Sequence, residues 1–166
     1  SQFMTRPLIL GTRGSELALA QAHMTEAALQ TKGIDVRIEV IRTIGDKRPD
    51  LKLSEFSQGD NPVVDKGIFT KELEEALLRG EIDFAVHSLK DVPTELAPGF
   101  EICATLPRAD IADMILTMQQ GLVDDLSLLG RATVATSSVR RARQLSWMYP
   151  GIEVVDIRGN VPTRIR

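Results

Sequence analysis

The sequence predicts an α/β protein, and three observations support this fold class. Short apolar runs typical of buried strands alternate with longer segments in which apolar residues recur at helical spacing. Glycine, serine or threonine follows several of these runs, as expected where a strand turns into a helix. After the run 82–86, Lys90 and Asp91 stand side by side, and Pro93 stops any regular element from continuing. Ligands of open α/β sheets bind at the carboxyl ends of strands, so this turn is a candidate site.

Residues 4–106 are predicted to form a first domain of alternating elements. Its predicted strands are 7–10, 36–40, 82–86 and 102–106. Its predicted helices are 15–32 and 68–79. The long polar segment 45–65 lies between them, and a loop of this length in a compact domain is more often functional than structural.

The helix at 15–32 has end signals and a predicted core face. Ser15 is the expected N-cap, and Gly33 is the expected stop. Apolar residues at helical spacing predict which face packs on the core. They are Leu17, Ala20, Met24, Ala27 and Ala28.

A second domain is predicted at 107–166, where the alternation starts again. Its predicted strands are 112–117, 132–135 and 152–157, its predicted helix is 139–149, and a further helix follows 158. Because that helix is cut off at Arg166, we expect the second domain to be incomplete and the chain to be a fragment. Residues 1–3, ahead of Met4, are interpreted as a cloning remnant.

The composition indicates a soluble globular protein, with 43% hydrophobic and 26% charged residues. No stretch approaches the roughly 20 apolar residues of a membrane span, and no secretory signal is visible. The single cysteine, Cys103, fits a reducing compartment and is expected to be a small buried hydrophobe in the strand 102–106. We therefore expect a cytoplasmic protein.

The net charge of −3 hides an asymmetry along the chain. Residues 1–130 carry a balance of −8, whereas residues 131–166 carry seven arginines, no lysine and a balance of +5. A planar guanidinium matches carboxylates and phosphates bidentately, unlike a lysine ammonium. A polyanionic ligand and a nucleic acid are both possible partners on this observation alone.

Three segments share one design, a buried strand followed by a small polar turn and a helix start with arginine nearby. They are 11–15, 136–141 and 158–164. Helix N-termini attract anions, and arginines add bidentate donors. Read more simply, the arginines at 140–143 form a solvated helix face. A carboxylate such as Asp91 among these cations stays ionised, so it suits stabilisation of a cationic intermediate better than proton donation.

Five blocks of this sequence resemble the porphobilinogen deaminase (hydroxymethylbilane synthase) family. They occur in family order at 11–21, 66–74, 85–94, 135–145 and 158–164. The resemblance implies two periplasmic-binding-protein-like (type II) domains that face each other across a cleft, followed by a third, smaller domain. The second domain is then truncated here and the third is absent. It also implies that 45–65 corresponds to the family's mobile active-site loop.

The resemblance further implies the activity and the residues that perform it. The family condenses four porphobilinogen molecules head to tail into hydroxymethylbilane, with release of ammonia, in haem biosynthesis. Asp91 matches the catalytic aspartate, which stabilises positive charge on an azafulvene-like intermediate. The matching positions that bind substrate or cofactor are Arg13, Gln21, Lys66, Ser88, Lys90, Thr136, Ser137, Ser138, Arg140, Arg141, Arg158 and Arg164.

The implied cofactor is a dipyrromethane primer, attached in the family through a cysteine of the third domain. Cys103 does not match that position, so we expect the fragment to lack the primer and to be inactive alone.

The expected partners are porphobilinogen and the growing polypyrrole, with no metal, nucleic acid or membrane. The family is mostly monomeric, whereas uncovered apolar surface on the fragment is expected to favour self-association or a loosened second unit.

Two other protein classes compete with this interpretation. A two-lobed solute-binding protein for a small carboxylate would use the same fold and helix ends, but it is normally exported and gives Lys90 and Asp91 no role. A nucleic-acid-binding module would use the basic tail, but residues 1–130 are acidic and the arginines cluster at turns rather than along one face.

Overall fold

The computed structural model describes residues 6–47, 67–118 and 131–166. By its internal contacts the chain divides into two compact units, Ser1–Arg108 and Ala109–Arg166. The division lies next to the boundary predicted from the sequence, and the assignment of these units to domains stays a prediction. We call them unit 1 and unit 2 and describe each by itself.

Unit 1 contains a three-stranded parallel sheet. Its strands are β1 (Leu8–Thr12), β2 (Val36–Val40) and β3 (Phe84–Ala85), in the order β2-β1-β3. All three run in the same direction, with Leu10 of β1 opposite Ile38 on one side and Phe84 on the other. The predicted α/β class is therefore confirmed, and the carboxyl ends of the three strands lie at one edge of the sheet.

Helices connect these parallel strands. They are α1 (Glu16–Gln30), α2 (Ile44–Lys47) and α3 (Lys71–Leu78), with single 3₁₀ turns at Gly67–Phe69 and Leu89–Asp91. Ser15 caps α1 as predicted, because its side chain accepts a hydrogen bond from the Ala18 amide. The predicted helix at 68–79 is interrupted, since its first turn is 3₁₀ and α3 begins only at Lys71.

The core cluster of unit 1 consists of Leu73 and Ala76 of α3 with Ile82, and Ile9, Ile41, Leu77 and Ala85 pack against it. Leu10 of β1 and Ala22 of α1 are also buried. Gly11 of β1 is placed where a side chain would collide with Ile82 and Leu73. Because a packed core does not accommodate extra atoms, glycine is required here for close approach rather than for a special backbone angle.

The predicted core face of α1 is wrong. Leu17 is 55% exposed and Met24 is 57% exposed, whereas the buried residue of this helix is Ala22. Ala20, Ala27 and Ala28 of the predicted face are exposed as well. The helix is rich in alanine on several faces, so the apolar pattern does not single out one of them.

An ion pair fastens the start of β1 to the residue before β3. Arg6 donates to both carboxylate oxygens of Asp83 at 2.7 and 2.6 Å, and the Ile9 amide donates to the same carboxylate at 2.7 Å. The hydrogen bonds from Arg6 and from the Ile9 amide lower the pKa of Asp83 to about 2. Asp83 therefore helps to align the strand that leads into the candidate site.

Unit 2 contains a two-stranded parallel sheet and two helices. They are β4 (Thr133–Ala135), α4 (Val139–Met148), β5 (Glu153–Val155) and α5 (Val161–Ile165). The predicted strands 132–135 and 152–157 and the predicted helix 139–149 are confirmed in shortened form. Ile152 is the buried apolar residue among the described residues of this unit, at 8% exposed.

Two predicted strands are wrong. Within the described residues, neither 102–106 nor 112–117 forms a strand, and side chains such as Met114 (85% exposed) and Leu116 (66% exposed) face solvent. A strand needs a neighbour for its backbone hydrogen bonds, and the structure places none beside these segments in the part of the chain it describes. Cys103 is exposed rather than a buried hydrophobe.

Some predictions fall on residues that the structure does not describe. Residues 1–3, Lys66 and the segment 48–65 of the predicted loop lie outside the described residues. The beginning of that loop is described and belongs to α2. Across the described ranges, no helix is both long and apolar enough to cross a membrane.

Candidate functional site

The carboxyl edge of the unit 1 sheet brings together one cation and two carboxylates. Arg13 follows β1, Asp46 lies in α2 after β2, and Asp91 ends the 3₁₀ turn after β3. Arg13 donates to Asp46 Oδ1 from Nη2 at 2.7 Å and to Oδ2 from Nε at 3.3 Å. Its Nη1 lies 3.9 Å from Asp91 Oδ2, beyond hydrogen-bond distance. Two of the predicted site residues, Arg13 and Asp91, are therefore neighbours.

The carboxylate of Asp46 is fixed by the turn that carries it. The Thr43 hydroxyl donates to Asp46 Oδ2 at 2.7 Å, and the Asp46 amide donates to Thr43 Oγ1 at 3.2 Å. Thr43 is fully buried. Burial acts to raise the pKa of Asp46, but the hydrogen bonds from Arg13 and Thr43 and the charge of Arg13 outweigh it, so this pKa is lowered. Asp46 is thus held as an anion beside Arg13.

An aromatic ring supports the other side of the Arg13 guanidinium. Its Cζ atom lies 4.1 Å from the centroid of the Phe69 ring, which is a cation–π contact. The Arg13 side chain is only 19% exposed, and those of Asp46 and Asp91 are 24% exposed. In this partly desolvated setting charge interactions are stronger than at an open surface.

A hydrogen bond joins α1 to the segment after β3. The Ser88 hydroxyl donates to Gln21 Oε1 at 2.9 Å, and both residues belong to the predicted site. This bond uses the amide oxygen of Gln21, so the amide nitrogen remains the group that can donate to a ligand. Lys90 lies in the adjacent 3₁₀ turn and is exposed.

His87 stands between β3 and this turn. Burial lowers its pKa, the nearby Asp91 acts to raise it, and Arg13 acts to lower it, with a lowered pKa as the result. The lowered pKa favours the neutral imidazole. Of the described residues, Gly14, Ser15, Val40, Arg42 and Asp46 line a cavity that opens at this edge of the sheet.

The hydroxyl-bearing turn of unit 2 begins α4 as predicted. Ser138 is the N-cap, and its hydroxyl accepts from the Arg141 amide at 3.4 Å. Thr136 Oγ1 accepts from the Ser138 amide at 3.2 Å, whereas Ser137 is exposed. The backbone amides at the start of this helix and the hydroxyls around it form a surface suited to anions.

The two arginines at the start of α4, Arg140 and Arg141, both form ion pairs with the carboxylate of Asp113. Asp113 Oδ1 accepts from Arg141 Nε at 2.9 Å and from Arg140 Nη2 at 3.3 Å, and Arg140 Nη1 lies 2.9 Å from Asp113 Oδ2. The hydrogen bonds from Arg140 and Arg141 lower the pKa of Asp113. Arg140 also donates to Gln144 at 2.6 Å. The arginine pair is therefore arranged to bind a carboxylate.

The two remaining predicted arginines make other contacts. Arg158 donates to Asp156 at 3.1 Å, and Arg164 donates to the carbonyl of Gly159 at 2.7 Å. Neither is among the arginines that donate to Asp113 in the described part of unit 2.

Among the described residues, no cluster of three or more histidine, cysteine or acidic side chains has the arrangement of a metal site.

Comparison with known proteins identifies the family. Residues 8–166 match the family model described as "Porphobilinogen deaminase, dipyromethane cofactor binding domain". The chain belongs to the porphobilinogen deaminase family. It is 49% identical over 163 residues to the porphobilinogen deaminase of Rubrobacter xylanophilus, and the match covers 98% of this chain and 50% of that protein.

Other relatives agree with this assignment. The porphobilinogen deaminase of Syntrophomonas wolfei is 47% identical, with 97% of this chain and 50% of that protein covered. The probable porphobilinogen deaminase of Methanosarcina barkeri is 41% identical, with 96% and 48% covered. The chain thus spans about half the length of the curated relatives it matches. The comparisons give the solute-binding interpretation no support.

The residues of unit 2 fit the dipyrromethane group that the family description names. Such a group carries acetate and propionate side chains, and the Asp113 carboxylate shows, as an internal stand-in, that Arg140 and Arg141 hold a carboxylate together. The hydroxyls of Thr136 and Ser138 stand at the same helix start. These side chains supply donors of the type that several carboxylates require.

Sequence reasoning missed four residues that organise these sites, namely Thr43, Asp46, Phe69 and Asp113. A signal existed for the first two, because Thr43 and Asp46 have the Thr-x-x-Asp spacing of a capping box at the start of a helix. Phe69 lies within the predicted helix 68–79, which gave no reason to expect a contact with Arg13. Asp113 was placed in a strand that does not form.

Proposed function

We propose that the protein to which this segment belongs is a hydroxymethylbilane synthase, which joins porphobilinogen molecules head to tail and releases ammonia in tetrapyrrole biosynthesis. Family membership supports this reaction. The observation that carries it is Asp91, a partly buried carboxylate beside Arg13 but not hydrogen-bonded to it. Among the described residues, no hydrogen bond to its oxygen atoms is formed, so these atoms can accept N–H groups of a substrate.

Asp91 would stabilise positive charge that develops on the substrate when ammonia leaves. Loss of the amine leaves an electron-poor pyrrole, and a fixed anion in a partly desolvated site lowers the energy of that state. The carboxylate does this without giving up a proton. Its position at the end of a 3₁₀ turn, between His87 and Pro93, fixes it relative to the sheet.

The basic and polar residues would bind the carboxylates of porphobilinogen and of the growing chain. In unit 1 these are Arg13, Gln21, Ser88 and Lys90, with Lys66 as a further predicted member. In unit 2 they are Thr136, Ser137, Ser138, Arg140, Arg141, Arg158 and Arg164. When bound, a dipyrromethane primer supplies the free pyrrole carbon at which the chain is extended. The residues of this segment orient it and neutralise its carboxylates.

The same proposal includes the domain arrangement and the location. Units 1 and 2 would be two periplasmic-binding-protein-like lobes that face each other across a cleft, with the sites of both units on its walls. The parallel sheet of unit 1, with its site at the carboxyl edge, supports this arrangement for that lobe. The enzyme would act in the cytoplasm, on porphobilinogen and without nucleic acid or metal.

Lysine substitutions test the proposal at the arginine pair. In a full-length enzyme containing this segment, Arg140→Lys and Arg141→Lys keep the charge but lose the bidentate fork, so each should lower kcat/KM for porphobilinogen by about tenfold or more. Arg143→Lys, on the same exposed helix, is the matched control and should retain the parent rate. Parent-like rates in all three variants would contradict a binding role and would show that these arginines only form a solvated helix face.

A further inference from the structure

We propose that Asp46 is a positioning residue that holds Arg13 away from Asp91 and so keeps the Asp91 carboxylate open to substrate. The functional part of this inference rests on the proposed function. The structural part rests only on the contacts of Arg13 and can be tested without any turnover.

Asp46 keeps Arg13 from pairing with Asp91 because it occupies one hydrogen-bonding edge of the guanidinium. Asp46 takes the edge formed by Nε and Nη2, at 3.3 and 2.7 Å. Nη1 is left at 3.9 Å from Asp91 Oδ2. A guanidinium binds a carboxylate best through two parallel N–H groups, and here that mode is already used by Asp46. Asp91 therefore feels the charge of Arg13 without losing its lone pairs to it.

Two further contacts make this arrangement rigid. Thr43, which is fully buried, holds Asp46 Oδ2 at 2.7 Å, so the carboxylate cannot rotate away without losing a hydrogen bond. Phe69 lies against the guanidinium face, 4.1 Å from Cζ, and fixes its plane. With one edge and one face held, Arg13 cannot turn its paired edge toward Asp91.

Removal of the Asp46 charge would release that edge. Among the described residues, the carboxylate that remains beside Arg13 is then Asp91. Since the side chains are only 19% and 24% exposed, water would compete weakly with a direct pair. Asp91 would then be engaged by Arg13 in the free protein and would have to be released for each substrate molecule.

The structural test is a crystal structure of the Asp46→Asn variant of this chain. The inference predicts that Arg13 moves onto Asp91, with an N–O distance that shortens from 3.9 Å to about 3 Å. Thr43→Val, which keeps the Asp46 charge but removes its anchor, provides a second variant if Asp46→Asn does not fold, and should give a shorter Arg13–Asp91 distance as well. An unchanged 3.9 Å separation in a folded variant would overturn the inference.

The functional test compares kinetics in a full-length enzyme containing this segment. Asp46→Asn should lower kcat by at least about tenfold, and it should have no further effect in an Arg13→Met background, because Asp46 acts only through Arg13. Asp46→Glu should restore part of the rate. A loss of the same size in both backgrounds would show a direct role of Asp46 and would contradict the inference. If the parent enzyme does not consume porphobilinogen, the proposed function fails while the crystallographic test of Arg13 still stands.

Discussion

The guanidinium of Arg13 lies against the ring of Phe69, with Cζ 4.1 Å from the ring centroid. Phe69 belongs to the 3₁₀ turn that precedes α3, and Arg13 follows β1. The contact therefore connects the helix that closes the core to the strand that carries the candidate site. It also links the stability of unit 1 to the orientation of a residue proposed to bind substrate.

We expect Phe69→Leu to destabilise the chain by about 1–2 kcal/mol, because it removes the cation–π contact and part of the packing volume. Phe69→Tyr keeps the ring and should be close to the parent. Urea unfolding of both variants measures the difference. Equal losses for Leu and Tyr would show that ring chemistry is irrelevant at this position.

Gly11→Ala should destabilise unit 1 by about 1–3 kcal/mol, since the added methyl group meets Ile82 and Leu73 in the core. Gly67→Ala is the matched control, because among the described residues a Cβ there meets no atom within 4 Å. Its effect should stay within about 0.5 kcal/mol. Urea unfolding midpoints of the two variants, measured side by side, test this prediction. Similar midpoints would contradict it and would show that the core adjusts to a methyl group at Gly11.

His87 should titrate with a midpoint below 6.5, the ordinary value for histidine. Because its pKa is lower in the folded protein, the unfolded chain binds more protons, and stability falls as the pH drops from 6.5 through the lowered value. NMR titration of the His23→Gln variant, in which His87 is the single histidine, gives the midpoint directly. In urea unfolding, His87→Gln should remove part of the pH dependence below 6.5. A midpoint at or above 6.5 would contradict the burial argument.

Much of the sheet of unit 1 could be predicted because its strands carry their own signal. The alternation of Val36, Ile38 and Val40 with charged residues allows only one interpretation, and the turn at Lys90 and Asp91 is marked by Pro93. The segments 102–106 and 112–117 have similar apolar runs but form no strand among the described residues. An apolar run indicates that a segment tends to be buried. It does not indicate whether a neighbouring strand is present to form backbone hydrogen bonds with it.

The site was predictable in its residues but not in its pairing. Arg13 and Asp91 stand out in the sequence. The ion pair between Arg13 and Asp46, however, depends on the position of α2 in the fold. Likewise, Arg140 and Arg141 were expected at the start of α4, but the carboxylate between them comes from Asp113, 27 and 28 positions earlier. Contacts between distant positions are set by the packing of elements, which local patterns do not contain.

The 166-residue chain is expected to gain no covalent pyrrole when it is incubated with porphobilinogen. Its single cysteine, Cys103, is exposed. We do not expect it to be the attachment residue, because the resemblance implies that this residue belongs to a third domain. Intact-mass spectrometry before and after incubation makes this measurement, with Cys103→Ser as the control. A mass increase equal to two pyrrole units in the parent and not in the Cys103→Ser variant would refute this expectation.

The catalytic role of Asp91 is the central claim, and ammonia release from porphobilinogen tests it most directly. In a full-length enzyme containing this segment, Asp91→Asn should keep the fold but lower turnover by at least about 100-fold, because a neutral amide cannot balance developing positive charge. Glu95→Gln, an exposed acid in the same segment, should retain the parent rate. Turnover of a folded Asp91→Asn enzyme within about threefold of the parent would contradict the account.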